Sequence, residues 1–269
     1  MGDECYADPN EEQSPPGRVH PFGKNWPRRN LLDVCHIAIT PSNRTTKAEL
    51  VSVLLICGIV ASVLYFAMNV FIPLQWQGYS FASQVISELS AIDAPTRSLW
   101  VPLGVAYGVL MLAFGWGVWV SGRGNRPLRI AGALIFIYSI IGLAWPPMHQ
   151  REVVAAGGAT LTDTLHIVWS IAWVVFMLAA IAFGAFALGK GFRRYSIATL
   201  AILVAFGVLT GLDAPKLSTN LPTPLIGVWE RIQIGVVIVW EMVLAIALLR
   251  MQRAAPRPAD KRALAGAAP

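Results

Sequence analysis

Six apolar stretches, each close to the thickness of a bilayer, run through the chain at 50–72, 99–120, 128–145, 165–188, 197–212 and 232–249. A helix needs about 20 mostly apolar residues to cross the hydrocarbon core. Inside lipid every backbone amide must find a partner, which only helices and closed barrels allow. Stretches of this length meet that condition as helices. The sequence therefore predicts an all-α, polytopic membrane protein, a six-transmembrane-helix bundle. Composition agrees: of 269 residues, 55% are hydrophobic and 13% charged, where a soluble domain carries about a quarter charged.

Loop charges orient the bundle. Arg28, Arg29, Arg44 and Lys47 precede the first stretch, and Arg123, Arg126 and Arg129 follow the second. Lys190, Arg193 and Arg194 follow the fourth, and Arg250, Arg253, Arg257, Lys261 and Arg262 follow the last. The other three loops are nearly free of Lys and Arg. Positive charge marks the cytoplasmic side, so both termini are expected in the cytoplasm and the protein in the cell (inner) membrane. The net charge of +6 is mostly this anchoring pattern. No basic patch interleaved with aromatics occurs, so nucleic acid is not an expected partner; the lipid bilayer is.

The membrane domain is expected over 49–250, flanked by disordered cytoplasmic tails at 1–48 and 251–269. The first tail is polar and proline-rich, with no cleavable apolar core; its 31–40 part is mildly apolar and could rest on the membrane surface. Cys5, Cys35 and Cys57 show no metal-ligand spacing, and a disulfide is not expected in that compartment. Small residues such as Gly58, Gly104, Gly108, Gly115, Gly132, Gly207 and Gly211 are expected to let helices approach closely.

The three loops expected on the outer face hold the polar residues that packing does not explain. In the first, residues 81–92 have helical period, with Ser83, Ser87 and Ser90 on one face and Val85, Ile86 and Leu89 on the other. This predicts an extra short amphipathic helix on the outer face, with Glu88 at the edge of its polar side. The second loop brings His149, and then Asp163 and His166, three residues apart on one helix face. Glu88, His149, Asp163 and His166 are the candidate catalytic residues, expected to converge on one pocket. An ion-pair network among loop residues is the competing explanation. Asp93 and Asp213, each two residues before a proline, read as helix caps. Arg97 and Arg151 read as surface charges. Glu241 falls mid-way along the last stretch, where a carboxylate is costly unless protonated or paired. It lies eleven residues, about three turns, after Glu230, so the two share a face. A partner for Glu241 would be Tyr138, Ser139 or Thr210.

Ile86-Ser-Glu-Leu-Ser-Ala-Ile-Asp-Ala-Pro95, Pro147-Met-His-Gln-Arg151 followed by Thr162-Asp-Thr-Leu-His166, and Gly227-Val-Trp-Glu-Arg-Ile232 resemble three landmarks of a bacterial membrane-protein family. It is the domain-of-unknown-function nine-nine-eight family, and the resemblance covers roughly 50–250. It implies a six-span inner-membrane protein and assigns no activity. Seven-span zinc hydrolases, built on a Ser, an Asp and three His, differ by a span and a histidine, although a His/His/Asp zinc site is chemically feasible. Metal and cofactor are left open. Three functions are then in contention. The first is an enzyme acting at the outer leaflet on a lipid or lipid-linked substrate. The second is a small transporter or proton-coupled carrier using Glu230 and Glu241. The third is a non-catalytic membrane scaffold.

Overall fold

The computed structural model describes residues 40–254, with side chains from residue 47 onward. Cys5, Cys35 and most of both expected tails lie outside the described residues. Six long helices cross the molecule: α1 (Thr40–Phe71), α2 (Arg97–Ser121), α3 (Arg126–Leu143), α4 (Leu161–Gly184), α5 (Lys190–Leu217) and α6 (Ile226–Ala254). All six are long and apolar enough to span a membrane, and there is no strand among the described residues. The protein is a multi-pass, all-α membrane bundle.

Four of the helices, α1, α2, α5 and α6, outrun the apolar stretches that predicted them, while α3 and α4 keep their length and shift toward the N-terminus. The fifth stretch, the shortest in sequence, becomes a helix of 28 residues that carries Asp213 and Pro215 inside its last turns. Helical hydrogen bonding continues through polar flanks as long as nothing breaks it, whereas hydropathy ends at the first charges. Asp213 therefore caps no helix start and pairs with Lys216 at 2.6 Å. Asp93 does not cap either: it sits in a turn with φ of 64°, and Thr96 is the residue that precedes α2.

Close helix contacts are set by glycine. A side chain at Gly58 would meet the Phe114 ring, one at Gly184 the Trp240 ring, and one at Gly115 or Gly132 the backbone of the facing helix. α6 is the most buried span. Its Ile238 carbonyl accepts from Ser62 of α1, its Trp240 indole donates to Ser196 of α5, and its Glu241 accepts from Tyr138 of α3. The main core, including Leu55, Phe114, Ile135, Met177, Leu203 and Leu244, fills the space around it.

Six spans put the start of α1 and the end of α6 on one side. The opposite side, here the loop end, carries the connections 72–96, 144–160 and 218–225. The first of these does contain a short helical segment, but as a five-residue 3-10 turn, Ile86–Ser90. It is shorter than the 81–92 helix expected and sits deeper. Ile86, Glu88, Leu89 and Ser90 are all buried, so polar and apolar sides alike face protein. A second small cluster (Met68, Ile72, Ile86, Leu89, Trp100) packs beneath it.

Candidate functional site

Two polar arrangements lie at the loop end, and they differ in kind. The first is a knot that ties the three loops together. Arg151 donates from Nε to Glu88 Oε1 and from Nη2 to Glu88 Oε2, both at 2.7 Å. Its Nη1 donates to Thr223 Oγ1 at 3.0 Å and its Nη2 also reaches the Ser83 carbonyl at 2.9 Å. Thr223 passes its own proton to that carbonyl at 3.0 Å. Glu88 Oε2 further accepts from the Val85 amide at 2.8 Å, which closes the first turn of the 3-10 segment. Burial works against the guanidinium's charge, but the bonds and field of Glu88 outweigh it and hold Arg151 above its ordinary pKa. Arg151, read from sequence as a surface charge, is only 8% exposed.

Beside the knot, Arg231 braces the same loop from α6. It donates to the carbonyls of Phe81 (2.9 Å) and Gln84 (3.1 Å) and to Tyr79 Oη (2.6 Å). Tyr79 in turn donates to the carbonyls of Gln84 and Val85. Burial pushes its phenol well above the usual range, against the opposing pull of Arg231, so it stays a donor. Gly227 completes the brace. Its amide donates to the Ala82 carbonyl at 2.8 Å, and a side chain there would strike the carbonyls of Gln84 and Phe81. Arg97, also read as a surface charge, donates to the Ser90 carbonyl and covers the Trp145 ring at 5.4 Å.

His149 and Asp163 form a separate pair. Asp163 Oδ1 accepts from the His149 amide at 2.7 Å, and Oδ2 lies 3.0 Å from His149 Nδ1. A carboxylate only accepts, so Nδ1 carries the proton and Nε2 is left free. Asp163 also accepts from the amide and hydroxyl of Thr160, the reciprocal cap that starts α4.

The second arrangement is a cavity of about 550 Å³ between the helices. One stripe of each span reaches it: Trp100, Gly104 and Tyr107 from α2; Tyr138 and Ser139 from α3; His166, Trp169, Ser170 and Trp173 from α4; Gly207, Thr210 and Gly211 from α5; Glu230 and Gln233 from α6; and Tyr65 from α1. Ser87 and Ser90 of the 3-10 segment close its loop end. Gly104 and Gly211, expected to pack helices together, instead face open space. Ile171, Val175, Val204 and Val208 line the cavity and are half exposed or more, so its apolar wall is continuous with the lipid-facing surface of α4 and α5.

Of the four residues expected to share one pocket, His166 lines this cavity; Glu88, His149 and Asp163 do not. His166 Nδ1 donates to the Pro146 carbonyl at 2.8 Å, and its ring rests against Trp169. Glu230 also faces the cavity, with one oxygen taking the Ile86 amide. Glu241 takes the Tyr138 hydroxyl, one of the three partners open to it in sequence, and its Oε2 is buried without a bond. Sequence reasoning passed over Thr223 and the aromatic wall. The available signal was Trp169 and Trp173, one turn apart on the face that carries His166. Among the described residues no cluster of His, Cys, Asp and Glu suited to a metal ion occurs.

A family model described as protein of unknown function (DUF998) matches residues 59–247, nearly the whole bundle. No curated protein and no solved structure matches the chain. The three sequence landmarks that carried the family resemblance supply Glu88, Arg151, Gly227 and Arg231, the residues that lock the loops.

Proposed function

The chain belongs to the DUF998 family, and from the cavity beneath its loops we propose that it admits an amphipathic, lipid-like molecule from the bilayer and acts on that molecule's polar head. The observation that carries this reading is the division of the cavity wall. Apolar and aromatic side chains form most of it and merge with the lipid-facing surface, while His166, Glu230, Ser87, Ser90 and Gln233 supply a few polar groups. Ligand sites are commonly apolar with a small number of placed polar groups. In this reading His166, on the cavity wall, is the proton acceptor for chemistry at the head: its Nδ1 donates to the Pro146 carbonyl and its Nε2 is left to take a proton. The excess of Lys and Arg in the loops opposite supports a reading with both termini in the cytoplasm and the loop end on the outer face of the cell membrane. Cysteines introduced by Ala156→Cys and Arg123→Cys test that orientation: an impermeant thiol reagent should modify the first in intact cells and spare the second.

Gly104→Phe tests the binding reading. Position 104 faces open cavity, with nothing within 4 Å of an added Cβ, so a ring there is directed into the space a ligand would take. Protein purified in mild detergent and examined by native mass spectrometry should carry a bound amphiphile, and the variant should lose it. A wild-type protein that is released bare, or a variant that carries the same mass, contradicts the proposal.

A second reading, proton-coupled transport, is favoured by Glu241. Its carboxyl is buried, is bonded to Tyr138 of the cavity wall, and has one oxygen without a partner. Buried carboxyls within spans commonly mark proton or substrate paths. Glu241→Gln would then abolish proton movement into proteoliposomes that accompanies uptake. An unchanged proton flux would rule this reading out.

A further inference from the structure

We propose that the cavity selects ligands with a cationic head, an amine or quaternary ammonium group, over ligands with an anionic one. This rests on the cavity-binding reading above and narrows its ligand class. The first observation is charge. Among the described residues, Glu230 is the carboxylate on the wall and no Lys or Arg lines it. Nearby guanidiniums are held elsewhere: Arg151 by Glu88 and Thr223, Arg231 through both terminal nitrogens by Tyr79 and the loop carbonyls, with its Nε buried and unbonded, and Arg97 by Ser90 and the Trp145 face. A phosphate or carboxylate entering the cavity would lose its water and find no positive partner.

The second observation is the spare valence of Glu230. One of its oxygens takes the Ile86 amide, and the other makes no hydrogen bond among the described residues. A carboxylate in an apolar cavity is costly unless it is protonated or paired, and a cationic head is a partner that removes the cost and keeps the charge. The third is aromatic. Tyr65 meets Trp100 edge-on at 5.9 Å and Tyr107 at 4.8 Å, while Trp169 stacks on Trp173 at 6.0 Å. All five line the cavity. Aromatic faces attract cations through the ring quadrupole, most strongly where water is excluded, and quaternary ammonium groups are recognised in this way. His166 does not oppose this: its Nδ1 donates to the Pro146 carbonyl, which leaves Nε2 as an acceptor.

Tetraphenylphosphonium and tetraphenylborate test the proposal, because they share size and shape and differ in the sign of charge. Saturable binding of each is measured to the full-length protein in neutral-lipid nanodiscs, with empty nanodiscs subtracted. The cation should bind at least tenfold more tightly than the anion. Glu230→Gln, which keeps an acceptor for the Ile86 amide, should bring the ratio toward one with little change in thermal stability. Glu230→Asp, which keeps the charge, should preserve the preference and guards against a folding artefact. Saturable binding that Gly104→Phe abolishes but that shows no charge preference, or a preference unchanged in Glu230→Gln, overturns the cation inference alone. Failure of both probes to bind saturably, or binding insensitive to Gly104→Phe, overturns the cavity reading and this inference with it.

Discussion

Glu88 and Glu230 are carboxylates set beneath the same loops, yet their circumstances are opposite. Glu88 is enclosed: Arg151 grips both its oxygens and the Val85 amide takes one of them. Glu230 borders a cavity and spends one bond on the Ile86 amide. Each holds the 3-10 segment in place, one from within the loop and one from α6. The difference lies in what is left over. A buried polar group with every valence used is a structural element, and its removal costs stability. One that keeps a free atom facing a cavity is equipped to meet a ligand. By that criterion the loop knot is architecture, and the wall beneath it is where recognition occurs.

The comparison can be broken most sharply at Arg151. Arg151→Met strands Glu88 in a buried position, and breaking such a pair typically costs about 3–5 kcal/mol. Equilibrium unfolding in detergent should register a loss of that order. A loss below about 1 kcal/mol would mean that the knot is a surface ion pair and carries little of the fold. Gly227→Ala comes next. Its new methyl group would press on the carbonyls of Gln84 and Phe81, and overpacking of this kind costs about 1–3 kcal/mol. The lesion is confined to the loop end, so hydrogen exchange should rise in 79–92 before it rises in the spans. Uniform exchange across all helices would show that the brace has no local role. Asp163→Asn should have the smallest effect. It keeps the shape but sets an amide against the amide and ring donors of His149 and the Thr160 cap, at about 1–2 kcal/mol. Amphiphile binding should survive it, because neither partner of the pair lines the cavity. Loss of binding in this variant would move the ligand site from the cavity to the His149 pair.

The spans were legible because a run of about 20 mostly apolar residues has few other fates, and Leu50 through Ile72 or Ile232 through Leu249 admit only a helix in lipid. The lock was not. Glu88 and Arg151 are 63 residues apart, and nothing in either neighbourhood announces the other. The loop helix misled for a related reason. Alternation of Ser83, Ser87 and Ser90 with Val85, Ile86 and Leu89 reads as one wet face and one dry, but Glu88 is buried because its partners Arg151 and Val85 are buried with it, and Ser90 is buried with its hydroxyl turned back onto the Ser87 carbonyl. Gly104 and Gly211 had the spacing of packing glycines, and only the absence of a facing side chain separates them from Gly58 and Gly115. A cavity is a space between stripes on different helices, and single-chain periodicity carries no record of it. Of the candidate residues, Asp163 and His149 bond to each other across their flanking loop, while His166 faces the cavity wall.

Reactivity of two introduced thiols most directly tests the claim that the lock is closed and the cavity open to lipid. With Cys5, Cys35 and Cys57 replaced, Gly104→Cys puts a thiol on the open cavity wall, and Ala91→Cys puts one in the fully buried loop segment. Each is exposed to a long-chain alkyl maleimide in native membranes. The Gly104→Cys protein should be modified readily and the Ala91→Cys protein protected. Equal reactivity at the two positions, or an inert thiol at position 104, would contradict the account.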